Sequence, residues 1–444
     1  MSTTMTTDTL QITPELLSLI DSDTVFQPRV PSSMKETGLN PIYIEGLLLK
    51  HLATTATCTG RTLAQNACLP FGMITEIMNS LRKRQMVVHS NGNTFNDYEY
   101  ALTENGRTRA HLMQRDSSYV GPAPVTLTDY ILSVEAQSIV NESPDEERLR
   151  EACKGISVEP RLLESIGPAF NSGAGLFLFG APGNGKTTLA SHLTKCFGQH
   201  IWVPHAILES GQLIKFFDPQ FHKPAAADSK LPLRNENCDP RWIKIQRPTV
   251  VVGGELTLDD LEISYKQGGG VSEAPLQLKS NCGCLLIDDF GRQRVSPAHL
   301  LNRWIVPLES HRDFLTLANG KKIQVPFEQL IIFSTNLQPE DLVDEAFLRR
   351  IPYKIEMNDP SDEEFHHLFK LYCASFGCEY RKDVVNYLIQ THYAPVGRAK
   401  RRCHPRDLLK QVRSYCRYKK LPLEVRPEYF DIVARSYFAM VLKG

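Results

Sequence analysis

Residues 176–193 constrain the fold of this 444-residue chain more than any other stretch. The apolar run Leu176-Phe177-Leu178-Phe179 reads as a buried strand, and Thr188-Leu189-Ala190-Ser191-His192-Leu193 reads as a helix. Between them, Gly180-Ala181-Pro182-Gly183-Asn184-Gly185-Lys186-Thr187 fits G-x-x-x-x-G-K-[ST], the phosphate-binding P-loop. The strand–loop–helix context separates it from a chance glycine-rich turn. Glycines let the backbone bend tightly and aim its N–H groups at phosphate oxygens. Lys186 then reaches the β- and γ-phosphates, and the Thr187 hydroxyl binds Mg²⁺. Gly180 to Thr188 are therefore the expected binding residues for ATP, with Mg²⁺ as its partner ion.

The rest of the composition mainly excludes. Lys+Arg and Asp+Glu both total 50, so the formal net charge is zero. Whole-protein electrostatics give no argument for a polyanionic partner, and any nucleic-acid contact has to come from a local patch. The N-terminus has no basic region followed by an apolar core, and no stretch approaches 18 uninterrupted apolar residues. Neither a signal peptide nor a membrane span is expected. The eleven scattered cysteines read as reduced thiols of a cytoplasmic protein. Cys282 and Cys284 lack a matching His or Cys pair at zinc spacing and read as core thiols.

The chain divides by character. Residues 1–34 are Thr/Ser-rich and read as a disordered arm. Residues 35–116 carry three helical patterns, Pro41–Ala53, Arg61–Ala67 and Phe71–Lys83. Two strands follow around Ser90-Asn91-Gly92-Asn93, where Asn-Gly suggests a tight turn, and then a last helix. Three helices and a β-ribbon resemble a winged helix-turn-helix domain, and Tyr100–Arg107 resembles its wing-to-helix segment. Residues 117–149 read as a linker, stiffened at Gly121-Pro122-Ala123-Pro124.

A second nucleotide element follows the P-loop. Cys284-Leu285-Leu286-Ile287-Asp288-Asp289 is an apolar strand ending in two carboxylates. A P-loop enzyme needs an acid at a strand tip for its Mg²⁺ shell and a second one to polarise the attacking water. Asp288 is assigned to the metal and Asp289 to the water.

Leu330–Thr335 is another buried strand, ending at Asn336. Glu345–Pro352 and Cys403-His404-Pro405-Arg406-Asp407-Leu408-Leu409 come after it. Taken in order, these segments resemble the AAA+ ATPases, over about residues 150–444. The resemblance places Asn336 at sensor 1, Arg406 at sensor 2 and Arg350 at the arginine finger that a neighbouring subunit inserts. Arg349 is the alternative finger; Arg350-Ile351-Pro352 resembles the finger setting of Clp-type unfoldases. Most AAA+ proteins have Asp-Glu where this chain has Asp288-Asp289, which shortens the base by one methylene and implies slow hydrolysis. The pattern as a whole resembles a bacterial AAA+ type with an N-terminal winged helix.

The implied fold class is α/β: a three-layer αβα P-loop core over 150–356, with a C-terminal helical lid over 357–444. Ser361-Asp362-Glu363-Glu364 reads as a capping box opening the lid. Phe314–Leu317 and Lys322–Val325 read as a hairpin turned by Asn319-Gly320. Tyr265 with Gln267–Gly270 reads as either a substrate-gripping pore loop or a surface loop.

Two main functions stay open, with a docking adaptor that recruits partners through the N-terminal unit and barely hydrolyses ATP as a third. One is an ATPase that hydrolyses ATP with Mg²⁺ as a homo-oligomeric ring or filament and remodels a protein or nucleic acid. The other is a DNA-binding regulator or loader that uses ATP as a switch. Arg82-Lys83-Arg84 form a phosphate-contacting cluster. Yet residues 35–116 hold nine Lys/Arg and seven Asp/Glu, a weak electrostatic footprint. DNA binding and protein docking by this unit are both open.

Overall fold

In the computed structural model, the described residues are 26–94, 97–198, 200–225, 238–265, 269–342 and 345–438. A sheet of five parallel strands organises them, in the order Thr249–Val252, Cys284–Ile287, Leu330–Thr335, Leu176–Phe179, Tyr353–Glu356. The central strands are apolar, save for Ser334-Thr335 at one tip, because both of their faces are covered. Alternation along them feeds two cores. Leu176, Leu178, Leu286 and Ile332 pack with Ile166, Phe170 and Leu189 on one side. Phe177, Leu285, Ile287 and Phe333 pack with Leu300, Leu301 and Trp304 on the other. The result is a three-layer αβα body. Its strand order sets Leu330–Thr335 between the P-loop strand and the Asp288 strand, so three polar strand tips share the C-terminal sheet edge, where parallel α/β folds bind ligands.

The N-terminal unit has helices Pro41–Thr55, Gly60–Ala67, Phe71–Lys83 and Glu104–Asp116. Its antiparallel sheet has three strands, Thr57–Thr59, Asp97–Leu102 and Val87–Thr94 in that order. Asn91-Gly92 does not turn the ribbon. It lies inside the strand Val87–Thr94, where the register shifts, and pairing continues to Thr94↔Asp97.

A third body was not foreseen. Between the helix after the P-loop and the Asp288 strand, the chain builds a β-rich unit with its own core, including Ile201, Ile207, Ile214, Phe216 and Trp242. The hairpin Arg312–Thr316/Lys322–Pro326 adds Leu315, Ile323 and Val325 to that core. This hairpin is as expected, with Gly320 at φ 82° in its turn.

Part of the expected linker belongs to this body. Val125-Thr126 pairs in parallel with Ile207-Leu208, and Tyr130 and Val134 of helix Leu127–Ala136 are buried in the same core. Ala123 donates its N–H to Ala67 O at 2.8 Å, which ties the Gly-Pro stretch to the N-terminal unit. The buried pair Arg241–Asp239 (2.7 Å) completes the joint, with Arg241 Nη1 also donating to Thr37 O and Pro124 O. A buried, multiply bonded guanidinium holds an orientation that a polar linker would not.

The expected arm also differs over its described part. Phe26 meets Trp242 edge-on at 5.5 Å, and Asp239 N donates to Pro28 O. Residues 1–25 are outside those described. Of the glycine tract, Gln267 and Gly268 lie outside as well. Gly269 O accepts from Ser118 N and Oγ at 2.8 and 2.9 Å, so the described end of this loop packs on the N-terminal unit, while Tyr265 is half exposed.

The C-terminal unit packs helices Asp362–Phe376, Lys382–Leu388, His404–Lys419 and Pro427–Tyr437 around Phe365, Phe369, Leu408 and Phe430. Ser361 and Glu364 form the expected capping box. Cys282 and Cys284 are buried, and none of the eleven cysteines forms a disulfide.

Candidate nucleotide site

The loop Gly180–Gly185 takes its path from backbone conformations that only glycine adopts without strain. Gly180 has φ 131°, and a Cβ there would lie 2.6 Å from Met357 O. Gly183 has φ 85°, and a Cβ there would lie 2.6 Å from Cys403 Sγ. Cys403 N also donates to Gly183 O at 2.9 Å, so the loop is clamped against the C-terminal unit. Gly185 caps helix Lys186–Leu193 with no side-chain hydrogen bond, which leaves that helix's first N–H groups for an anion.

Lys186 is 7% exposed. Its Nζ donates to Gly180 O (2.8 Å), Ala181 O (3.2 Å) and Asn336 Oδ1 (2.7 Å). Burial pulls its pKa down, against the opposing pull of Asp288 and Asp289. Thr187 Oγ1 donates to Asp288 Oδ2 at 2.8 Å. Asn336 Nδ2 donates to Asp289 Oδ1 at 3.1 Å. Lys186, Thr187, Asp288, Asp289 and Asn336, drawn from three strand tips, thus form one connected polar group. Asp289 sits at φ 50°, in the left-handed region. Among non-glycine residues Asp and Asn tolerate it best, which gives a backbone reason for Asp at this strand tip.

This group lines one end of a cavity of about 470 Å³, within the range that holds a nucleotide. Pro182 to Thr188 line it as well, and Arg406 faces it from helix His404–Lys419. The other end is apolar, with Ile156, Val158, Leu162, Leu368 and Tyr372. Uncapped N–H groups and a buried lysine at one end, with an apolar slot at the other, suit a polyphosphate joined to a planar base. Two hard oxygens, from Thr187 and Asp288, suit Mg²⁺, which takes its other ligands from phosphates and water.

Three expected residues stand differently from the rest. Asn184 lines the cavity, yet its buried side chain turns backwards. Its Nδ2 donates to Met357 O and Asp359 Oδ1 at 3.1 and 2.8 Å, bracing the loop. Arg406 is paired with its neighbour Asp407 at 2.9 Å and is half exposed. Arg350 does not line the cavity and bonds Glu309 at 2.6 Å; Arg349 does not line it either.

Arg402 was missed. Its side chain is 10% exposed, and donates to Ser157 O (3.2 Å), Glu159 (3.1 Å) and Glu364 (2.9 Å). One guanidinium thereby joins the cavity's apolar wall to the start of helix Asp362–Phe376. Burial, and then Glu364, raise the pKa of Glu159. The only available signal was the run Lys400-Arg401-Arg402, which does not reveal partners so distant in sequence.

His404, next to this clamp, gives a pH prediction. Its Nδ1 accepts from Arg401 N at 3.3 Å and lies 3.0 Å from the Tyr393 hydroxyl. Burial, with Arg401 and Arg398 adding, lowers its pKa to about 4; Asp407 and Asp359 oppose. The unfolded chain takes up this proton below about 6.5 and the folded chain only near 4, so stability is full above 6.5 and falls as pH drops between the two values. The expected loss is about 2 kcal/mol by pH 5. Melting curves of the full chain should show it, and His404→Phe should flatten that slope.

A family model described as a domain of unknown function (DUF8689) matches residues 361–436, the C-terminal helical unit. No curated protein matches the chain. Among solved structures, NtrX from Brucella abortus aligns with a TM-score of 0.39 and 13% identity, over 63% of this chain and 55% of that one. The RuvB Holliday junction branch migration motor of Thermotoga maritima aligns with a TM-score of 0.35 and 13% identity, over 68% of this chain and 72% of that one. The chain thus spans just over half the length of the NtrX structure it resembles.

Proposed function

We propose that this protein is an AAA+ ATPase that hydrolyses ATP as an oligomer and uses the turnover to remodel a protein or nucleic-acid partner. The observation that carries the reading is the convergence of Lys186, Thr187, Asp288, Asp289 and Asn336 on one cavity, with Arg406 facing them from the C-terminal unit. Lys186 exchanges its bonds to Gly180 O and Ala181 O for phosphate oxygens. Asp289, held by Asn336, accepts the proton of the attacking water. Arg406 closes over the phosphates as the C-terminal unit acts as a lid. Mg²⁺, held through Thr187 and Asp288, supplies charge neutralisation at the phosphates.

Arg350 stands outside its own chain's cavity, which supports service to a neighbour's site. In a head-to-tail assembly each interface then joins one subunit's P-loop to the next one's finger. Lys186→Ala and Arg350→Ala should each be inactive alone. An equal mixture should recover about a quarter of wild-type turnover, because about one interface in four keeps both residues. A mixture as inactive as its parts would exclude a finger acting between subunits.

The alternative is a DNA-binding regulator or loader. The N-terminal unit's helices and three-stranded sheet support a winged-helix reading, and Arg82 and Lys83 are exposed at the end of its third helix. Arg84, however, is paired with Glu45 at 2.6 Å. Eleven cysteines without a disulfide support a reducing, cytoplasmic setting. No helix among the described residues is long and apolar enough to cross a membrane.

A further inference from the structure

Residues 398–420 hold ten Lys/Arg and a single acid, Asp407. The first cations are engaged inside the molecule. Lys400 pairs with Asp362, Arg401 with Asp359, Arg402 with Glu159 and Glu364, and Arg406 with Asp407. Arg398 stacks 3.8 Å over the Phe438 ring. The pattern then stops. Among the described residues Lys410, Arg413, Arg417, Lys419 and Lys420 form no ion pair, and all five are exposed. Arg413 covers the Phe376 ring at 4.6 Å. The nearby acid Glu424 is taken by Arg426 at 2.5 Å. Amid these cations Tyr418 is 80% exposed, the most exposed large hydrophobic side chain described.

Lys410, Arg413 and Arg417 recur at spacings of three and four, so they share one face of helix His404–Lys419. They cover about 10 Å of axis, the reach of a few successive phosphates. The helix dipole favours cations in the last turn, which accounts for Arg417 and Lys419 but not for Lys410 and Arg413 further up. A lipid surface would require an apolar face to insert. That face, with Leu408, Leu409, Val412 and Cys416, is already buried in the C-terminal core. A row of unpaired cations beside an upstanding aromatic ring matches the chemistry of a flexible polyphosphate strand with unstacked bases.

We propose that the outer face of helix His404–Lys419 from Lys410 onward, with Lys420, binds single-stranded nucleic acid. The cations hold backbone phosphates and Tyr418 stacks on a base. This moves the nucleic-acid contact from the N-terminal unit to the C-terminal one. It also puts that contact on the helix that carries Arg406, so strand binding and lid position share one rigid element. The surface itself does not depend on the ATPase reading.

The test is fluorescence anisotropy of the full-length protein with a labelled oligothymidine strand over a salt series. Wild type should bind, and binding should weaken as salt rises. Lys410→Glu with Arg417→Glu should weaken binding at least about tenfold and lower the log–log salt slope by about 1.4, from two lost phosphate contacts. Lys410→Gln with Arg417→Gln, which introduces no repulsion, should lower the slope equally and covers the case of a misfolded charge reversal. Tyr418→Ala should weaken binding severalfold with the slope unchanged. Arg82→Ala with Lys83→Ala should change nothing, and Lys186→Ala should bind the strand like wild type, which separates this surface from the nucleotide site. The proposal is overturned by absence of binding at low salt, by loss confined to the Arg82/Lys83 variant, by preference for a duplex with Tyr418 irrelevant, or by binding to phosphatidylserine vesicles in place of the strand.

Discussion

Lys186→Ala is expected to cost about 10- to 100-fold in ATP affinity and to remove turnover. A charge-assisted hydrogen bond contributes about 1.5–3 kcal/mol, and each 1.4 kcal/mol is tenfold. Among the described residues Lys186 is the only ammonium lining the cavity, and the carboxylates of Asp288 and Asp289 stand against it. Its removal takes away a buried counter-charge that those carboxylates and the phosphates share. Calorimetric titration of the variant with ATP and Mg²⁺ measures the effect. An affinity within threefold of wild type would remove Lys186 from the site. The alanine should not unfold the loop, because the path of Gly180–Gly185 is set by its glycines and by the Met357 and Cys403 contacts rather than by the lysine.

Asp289→Asn should separate binding from chemistry. Asparagine keeps the shape and tolerates φ 50°, so the strand tip and its contact with Asn336 should survive. What it loses is the ability to accept a proton. Turnover is expected to fall by about 10²–10⁴, with ATP affinity nearly unchanged. Single-turnover hydrolysis beside equilibrium binding checks both halves, and unchanged hydrolysis would return Asp289 to a structural role. Asp289→Glu should not rescue reach for free, because the longer side chain is worse placed in the left-handed region.

The contrast between these two residues and Arg402 shows where sequence reasoning reaches. The P-loop strand, the Asp288-Asp289 tip, the Ser361 capping box and the Asn319-Gly320 hairpin are each written within a few neighbouring residues. Their physics is local: a run of apolar residues, a left-handed turn, a hydroxyl over its own helix end. Even so, Asn91-Gly92, an equally strong local signal, yielded to strand pairing with Asp97–Leu102. Tertiary pairing outweighs turn preference when the extended ladder satisfies more backbone groups.

The β-rich body and the joint to the N-terminal unit were not legible. Val125-Thr126 is two residues long and becomes a strand only beside Ile207-Leu208. Arg241 becomes an anchor only because folding brings Asp239, Thr37 O and Pro124 O to it in a dry place. Arg402 likewise gains its role from Ser157, Glu159 and Glu364, and Asn184 loses its front-facing role to Met357 and Asp359. The basic run 398–420 could be counted from the letters, but which cations are matched by acids could not. Local chemistry and periodicity announce a P-loop core and its polar strand tips, since those signals lie along the chain. The choice of partner for each buried charge, and hence the clamp, the joint and the free cationic face, depends on distance through space and on the exclusion of water, which exist only once the chain is folded.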